Sequence, residues 1–177
     1  MLGCINIAMQ GQGEIVIFLL LFIIGIGLFV SATVWSKGIF QQNVDVANIE
    51  NSEKFMKDLN YNILSIIKFG GSQEMRYNLD GTIELDTTNN STIEVKIPIT
   101  ISLQQQWVNI SSDGSYIREK QEGSILRIQL IYNNTSTYKV VFFTEGPTLA
   151  TPNYVTLERN TTNTTGLTVI KIKVTFS

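Results

Sequence analysis

Residues 15–34 read IVIFLLLFIIGIGLFVSATV, a run without a charge, a proline or an amide side chain. At about 1.5 Å of rise per residue, a helix over this run is roughly 30 Å long, the thickness of a bilayer's hydrocarbon core. The run therefore predicts a membrane-crossing helix. Ser31 and Thr33 near its end can hydrogen-bond back onto their own helix, Trp35 suits the headgroup layer, and Lys37 can snorkel beyond it. A buried core helix of this composition would need a large apolar shell, which no other part of the chain has the sequence to supply. A cleaved secretory signal would have a shorter apolar region, about 7–15 residues, followed by small residues at a cleavage site.

The remaining length is enough for one further domain of about 100 residues. Charge is nearly balanced, with 13 Lys and Arg against 15 Asp and Glu. No basic footprint for nucleic acid is present, so nucleic-acid binding is not expected. There is no histidine, and Cys4 is the single cysteine. That excludes disulfides within the chain, thiol or imidazole catalysis, and thiolate or imidazole zinc sites. No glycine-rich phosphate loop stands out either, and the composition implies no cofactor and no enzyme. Residues 1–13, MLGCINIAMQGQG, contain no lysine or arginine and so lack the charged start of an ordinary signal peptide.

Immediately before the apolar run stands Gln10-Gly11-Gln12-Gly13-Glu14. With the hydrophobic run that follows, this segment resembles the start of an archaeal type IV pilin-like protein with a class III signal peptide. The resemblance covers residues 10–40. It implies a leader clipped at the cytoplasmic face by a prepilin peptidase-like enzyme, Gln10 as the first mature residue, and Glu14 at the fifth mature position. Residue 9 is Met where the family has Gly or Ala. It further implies self-association, or association with other pilin-like subunits, through the N-terminal helix. Glu14 is informative without the family, because a carboxylate at the lip of a bilayer helix is costly inside lipid unless it meets a cation. At headgroup level the dipole of a helix N-terminus would favour the same residue. Gly25, Gly27 and Ser31 are small enough for close helix approach.

Past Lys37 the apolar run stops but helical spacing continues. Val44, Ala47, Met56, Leu59, Ile63, Ile66 and Ile67 recur at three- and four-residue steps, with Asp45, Glu50, Glu53, Lys54, Lys57 and Asp58 on other faces. Gly70-Gly71 ends the pattern. The expected division is a leader or N-terminal segment at 1–13, a transmembrane helix at 14–37, an amphipathic helical extension at 38–71 and a β domain at 72–177. A break near Lys37-Gly38 or Gln41-Gln42-Asn43 is the alternative to one continuous helix.

From residue 72 the period becomes two. Tyr77, Leu79, Ile83 and Leu85 flank Asp80-Gly81, which predicts a hairpin over 74–86. Ile93, Val95, Ile97, Ile99 and Ile101 specify one sheet face, with Pro98 on the other face pointing to an edge or a bulge. Further strands are expected at 107–110, 125–132, 138–144, 154–159 and 167–176. The intervals are too short for crossover helices, so the fold class is α+β: a long N-terminal helix followed by an antiparallel β-sandwich-like domain. Lys171 and Lys173 alternate with Ile170, Ile172 and Val174, a pattern that also suits edge protection. Trp107 and Phe142-Phe143 read as core or subunit contacts, and Asp80, Glu84 and Asp86 as a solvated face rather than a calcium site.

Asn89, Asn90, Asn109, Asn133, Asn134, Asn160 and Asn163 each begin Asn-X-Ser/Thr. They are seven of the nine asparagines after Gly70, whereas none of the five asparagines from 43 to 62 begins such a triplet. Concentrated in turn-rich segments, they are candidate N-glycosylation sites and place the β domain outside the cell. This outweighs Lys37, which by the positive-inside rule would place the same side in the cytoplasm. The expectation is a single-pass surface protein in contact with membrane lipid, acting as a filament subunit in adhesion or surface contact. The alternative is a non-polymerising tethered domain that binds an envelope or cell-wall partner.

Overall fold

A computed structural model describes residues 3–76, 78–86, 91–111, 116–132, 138–146, 149–150, 154–164 and 167–176, without the side chains of 3–12, 149–150, 161–164 and 167. A single helix, α1, runs Gly3–Phe69, and neither Gly38 nor the 41–43 amides interrupt it. The chain divides into two compact units, Met1–Asn43 and Val44–Ser177, so the last turns of α1 belong with the sheets.

The helix ends where the sequence predicts. Gly70 and Gly71 take positive φ of 73° and 90°, and the Gly70 N–H donates to Ile66 O at 2.8 Å. Arg159 closes the end from a strand, its Nη1 donating to Ile67 O at 2.9 Å. A cation on terminal carbonyls also complements the helix dipole.

Ten strands follow: β1 Ser72–Arg76, β2 Thr82–Leu85, β3 Thr92–Pro98, β4 Val108–Asn109, β5 Tyr116–Glu122, β6 Ile125–Ile131, β7 Tyr138–Phe143, β8 Leu149–Ala150, β9 Tyr154–Thr164 and β10 Leu167–Phe176. They form a four-stranded sheet, ordered β1-β9-β10-β7, and a six-stranded sheet, ordered β4-β5-β6-β3-β2-β8. The α+β class holds, with two antiparallel-rich sheets. One pair departs from it: β7 and β10 are parallel, with Lys139 beside Val169 and Phe142 beside Ile172. The β8 and β9 strands intervene between them in sequence, so the chain returns in the same direction without a crossover helix.

The hairpin expected over 74–86 does not form. Its first strand, β1, pairs with β9, and its second, β2, pairs with β3 and β8, so Asp80-Gly81 passes from one sheet to the other. Gly81 is needed there for closeness: a Cβ on it would run into the carbonyl oxygen of Lys96 and the side chain of Ile97. Pro98 marks neither an edge nor a bulge, for β3 lies between β6 and β2. The next N–H, that of Ile99, donates to Ser124 O beyond β6, so the Pro98 nitrogen faces the β2 side, where pairing has already stopped at Lys96. Likewise β10 is internal, so Lys171 and Lys173 guard no edge; Lys173 pairs with Glu145. The β5 and β8 strands are absent from the expected set.

One core serves both sheets and the last part of α1. Met56, Leu59, Ile63 and Ile66 meet Ile83, Ile93, Val95, Ile97, Leu126, Ile128 and Leu130 from the larger sheet and Val140, Phe142, Leu157, Ile170 and Ile172 from the smaller. Each such side chain contributes about 1.5–3 kcal/mol by leaving water. Phe142 packs edge-on to Tyr132 with centroids 5.7 Å apart. Polar residues on α1 lock this packing. Asp45, placed by spacing on a solvent face, is buried, and its carboxylate accepts the backbone N–H of Thr100 at 2.6 Å and of Ile101 at 3.1 Å. Ala47, placed with the core, is exposed.

Candidate functional site

The residues singled out for membrane and assembly roles fall on the first part of α1. Every described residue from 13 to 43 is exposed, including Phe18, Phe29, Trp35 and Phe40 at 70% or more. The apolar side chains point all round the helix, which is the pattern for a helix embedded in lipid or among other helices. This helix is long and apolar enough to cross a membrane. Its polar interruptions are satisfied internally: Ser31 Oγ donates to Gly27 O and Thr33 Oγ1 to Phe29 O, each at 2.8 Å. Beyond its chain neighbours and the local helix backbone, a Cβ at Gly25 or Gly27 would meet nothing within 4 Å, so these positions are bare notches on the helix surface. Glu14 lies exposed at the start of the apolar run, and Gln10 stands on the same helix one turn earlier. Lys37 is exposed at the other end.

The candidate glycosylation sites are dispersed. Asn109 is exposed on β4 opposite Arg118, and Asn160 is exposed on β9 opposite Lys171, so one stands on each sheet. Asn163 also lies in β9, with its side chain outside the description. Asn89, Asn90, Asn133 and Asn134 lie outside the described residues.

The outer face of the larger sheet carries a ladder of charges. Glu84 and Glu94 stand directly opposite each other on β2 and β3, an arrangement that repels unless each finds a cation. Lys96 pairs with Glu84. Arg127 holds Glu94 through both carboxylate oxygens, and Gln129 adds a third bond at 3.0 Å. Burial by itself would raise the Glu94 pKa, but the hydrogen bonds from Arg127 and Gln129, then the charges of Arg127 and Lys96, bring it below the ordinary value. Arg127 also bonds Glu122 at 2.7 Å, and Arg118 lies over the Trp107 ring at 4.4 Å.

With Glu84 taken by Lys96 and Asp80 accepting from Asn48 at 3.5 Å, these acids serve separate contacts. Among the described residues no group of three His, Cys, Asp or Glu is placed to hold a metal ion. Spacing missed two acidic positions, Asp45 and Glu119. Asp45 sat among charged neighbours in an amphipathic run, and Glu119 lies in the charged stretch YIREKQE, which has no apolar alternation to mark it as a strand. No family model, curated protein or solved structure matches the chain.

Proposed function

We propose that this chain is a pilin-like structural subunit of a type IV pilus-related surface filament, acting in adhesion or surface contact rather than catalysis. The observation that carries the reading is the contrast along one unbroken helix. Its residues 13–43 are exposed and carry, over 15–34, an apolar surface all round, while its residues 44–69 supply a stripe to the β-domain core. In this reading the bare part lies in the membrane before assembly and among neighbouring helices afterwards. The β domain stands outside the cell, with Asn109 and Asn160 exposed for sugar. Glu14, at the start of the apolar run, pairs with the amino terminus that a prepilin peptidase-like enzyme frees on a neighbouring subunit. An unpaired carboxylate among apolar helices costs several kcal/mol, so this pair would set how far each subunit rises along the filament.

The test is Glu14→Ala, followed by electron microscopy and immunoblots of membrane and sheared-filament fractions. The substituted chain should stay in the membrane and lose most of its filaments, because at headgroup level the same change costs only about 0.3–1 kcal/mol through the helix dipole. Undiminished filaments, or a wild-type chain that never enters the sheared fraction, would favour the tethered, non-polymerising domain. Protease added to intact cells with an opened surface layer should cut the β domain, and full protection would place it inside.

A further inference from the structure

On β5 the inward positions after Ile117 are Glu119 and Gln121, where the other long strands of this sheet place Ile, Leu or Val. Glu119 stands opposite Val108 and lines a cavity of about 170 Å3 with Leu103, Gln104, Val108 and Leu126. Leu126 is fully buried and forms the floor, while Gln104 is exposed at the rim.

The wall that carries Leu103 and Gln104 is held by one amide side chain. Gln121 Oε1 accepts the Leu103 N–H, Gln121 Nε2 donates to Ile101 O at 3.1 Å and Gly123 O at 2.8 Å, and the Gln121 backbone N–H donates to Gln104 O at 3.0 Å. Glu119 Oε2 is buried, and no protein donor among the described residues reaches it. The charged groups facing it from α1 are Glu53 and Lys57, which pair with each other at 3.3 Å. Because Glu53 and Lys57 pair with each other, neither brings a hydrogen-bond donor to Glu119 Oε2. Burial, then the charge of Glu53, pushes the Glu119 carboxyl up, against a smaller opposing effect of Lys57.

The walls decide which cation fits. A hydrated inorganic ion would gain nothing from Leu103, Val108 and Leu126, and a multivalent metal needs more ligands than one carboxylate. An anion is excluded by the charge. At about 30 Å3 per water the cavity holds some five or six waters, room for a short aliphatic stem ending in a donor group. We propose that the cavity under β4 and β5 binds a primary alkylammonium group, with the nitrogen on Glu119 Oε2, the stem against Leu103, Val108 and Leu126, and Gln104 at the mouth. A lysine side chain of a second copy of this chain and a free short amine share this chemistry. The site is independent of the filament reading.

The test uses the full chain in detergent micelles, titrated with n-butylammonium against n-butanol and sodium at matched ionic strength, with thermal unfolding and leucine and valine methyl NMR as readouts. Butylammonium should raise Tm saturably and shift methyl signals of Leu103, Val108 and Leu126, with butanol and sodium inert. Glu119→Gln, which keeps the side chain's shape, should weaken binding at least about tenfold; Gln104→Ala should weaken it several-fold. An equal response to butanol, binding retained in Glu119→Gln, or no saturable response would overturn the proposal. Zero-length carbodiimide cross-linking on native membranes then separates the sources. An amide between Glu119 and a lysine of another chain identifies a protein occupant, and butylammonium binding without that amide identifies a free amine.

Discussion

In residues 13–43 of α1 the apolar side chains surround the helix and are exposed; in residues 44–69 most of them form one stripe buried with both sheets, and Val46, Ala47, Tyr61 and Phe69 stand exposed off that stripe. The first part is defined by how much apolar surface it carries, and the second by where that surface lies. Lipid or neighbouring helices can solvate an all-round apolar cylinder, whereas a single stripe needs one fitted partner surface. Polar residues differ in the same way. Ser31 and Thr33 in the first part turn their hydroxyls onto their own helix. In the second part Asp45 and Asn60 are buried and reach across to loops after β3 and β6, Asn60 accepting from the Tyr132 hydroxyl.

Truncation sharpens this contrast most. Ile63→Ala should destabilise the fold by about 2–5 kcal/mol through lost burial and a residual cavity, whereas Ile24→Ala should stay within about 0.5 kcal/mol. Urea unfolding of the full chain in detergent measures both, and equal losses would break the distinction between the two parts. Next comes a pair that spacing treats alike. Asp45→Ala should cost about 1–3 kcal/mol by removing the buried carboxylate that accepts the Thr100 and Ile101 N–H groups, while exposed Glu50→Ala should be nearly neutral.

Gly81→Ala should cost about 1–3 kcal/mol, because the new methyl meets the β3 backbone, which cannot swing aside, as well as the Ile97 side chain. A neutral result there would restore the ordinary turn expected at Asp80-Gly81.

Two carboxylates on the larger sheet should give pH dependences of opposite sign. Glu94 has a lowered folded pKa, so its contribution is complete above the unfolded-chain value and is lost as pH falls through the folded one. Glu119 has a raised folded pKa, so stability is full below the unfolded-chain value and declines as pH rises through the folded one. In urea midpoints taken from about pH 3 to 8, Glu94→Gln should flatten the acid side and Glu119→Gln the side above the ordinary carboxylate value. The smallest effect belongs to the surface pair: Lys57→Ala, which removes the contact to Glu53, should change stability by less than about 0.5 kcal/mol.

Residues 15–34, the start of the amphipathic stretch and the stop at Gly70-Gly71 were legible because each is a property of a short window: apolar density, a three-to-four spacing, a pair of glycines. Alternation likewise revealed β3, β6, β7 and β10. It failed on β5, whose inward positions include Glu119 and Gln121 where a core strand would carry apolar side chains. Nor did any window show that β1 and β2 belong to different sheets, that β7 and β10 run parallel, or that Asp45 is buried. These depend on which segments meet after long loops close, and on what each polar group finds opposite it. The sequence by itself determined an apolar helix, a helical extension and a β-rich domain, because composition and period act locally. The tertiary structure alone decided the partners, and with them the cavity at Glu119, because its wall, floor and carboxylate come from segments that only strand pairing brings together.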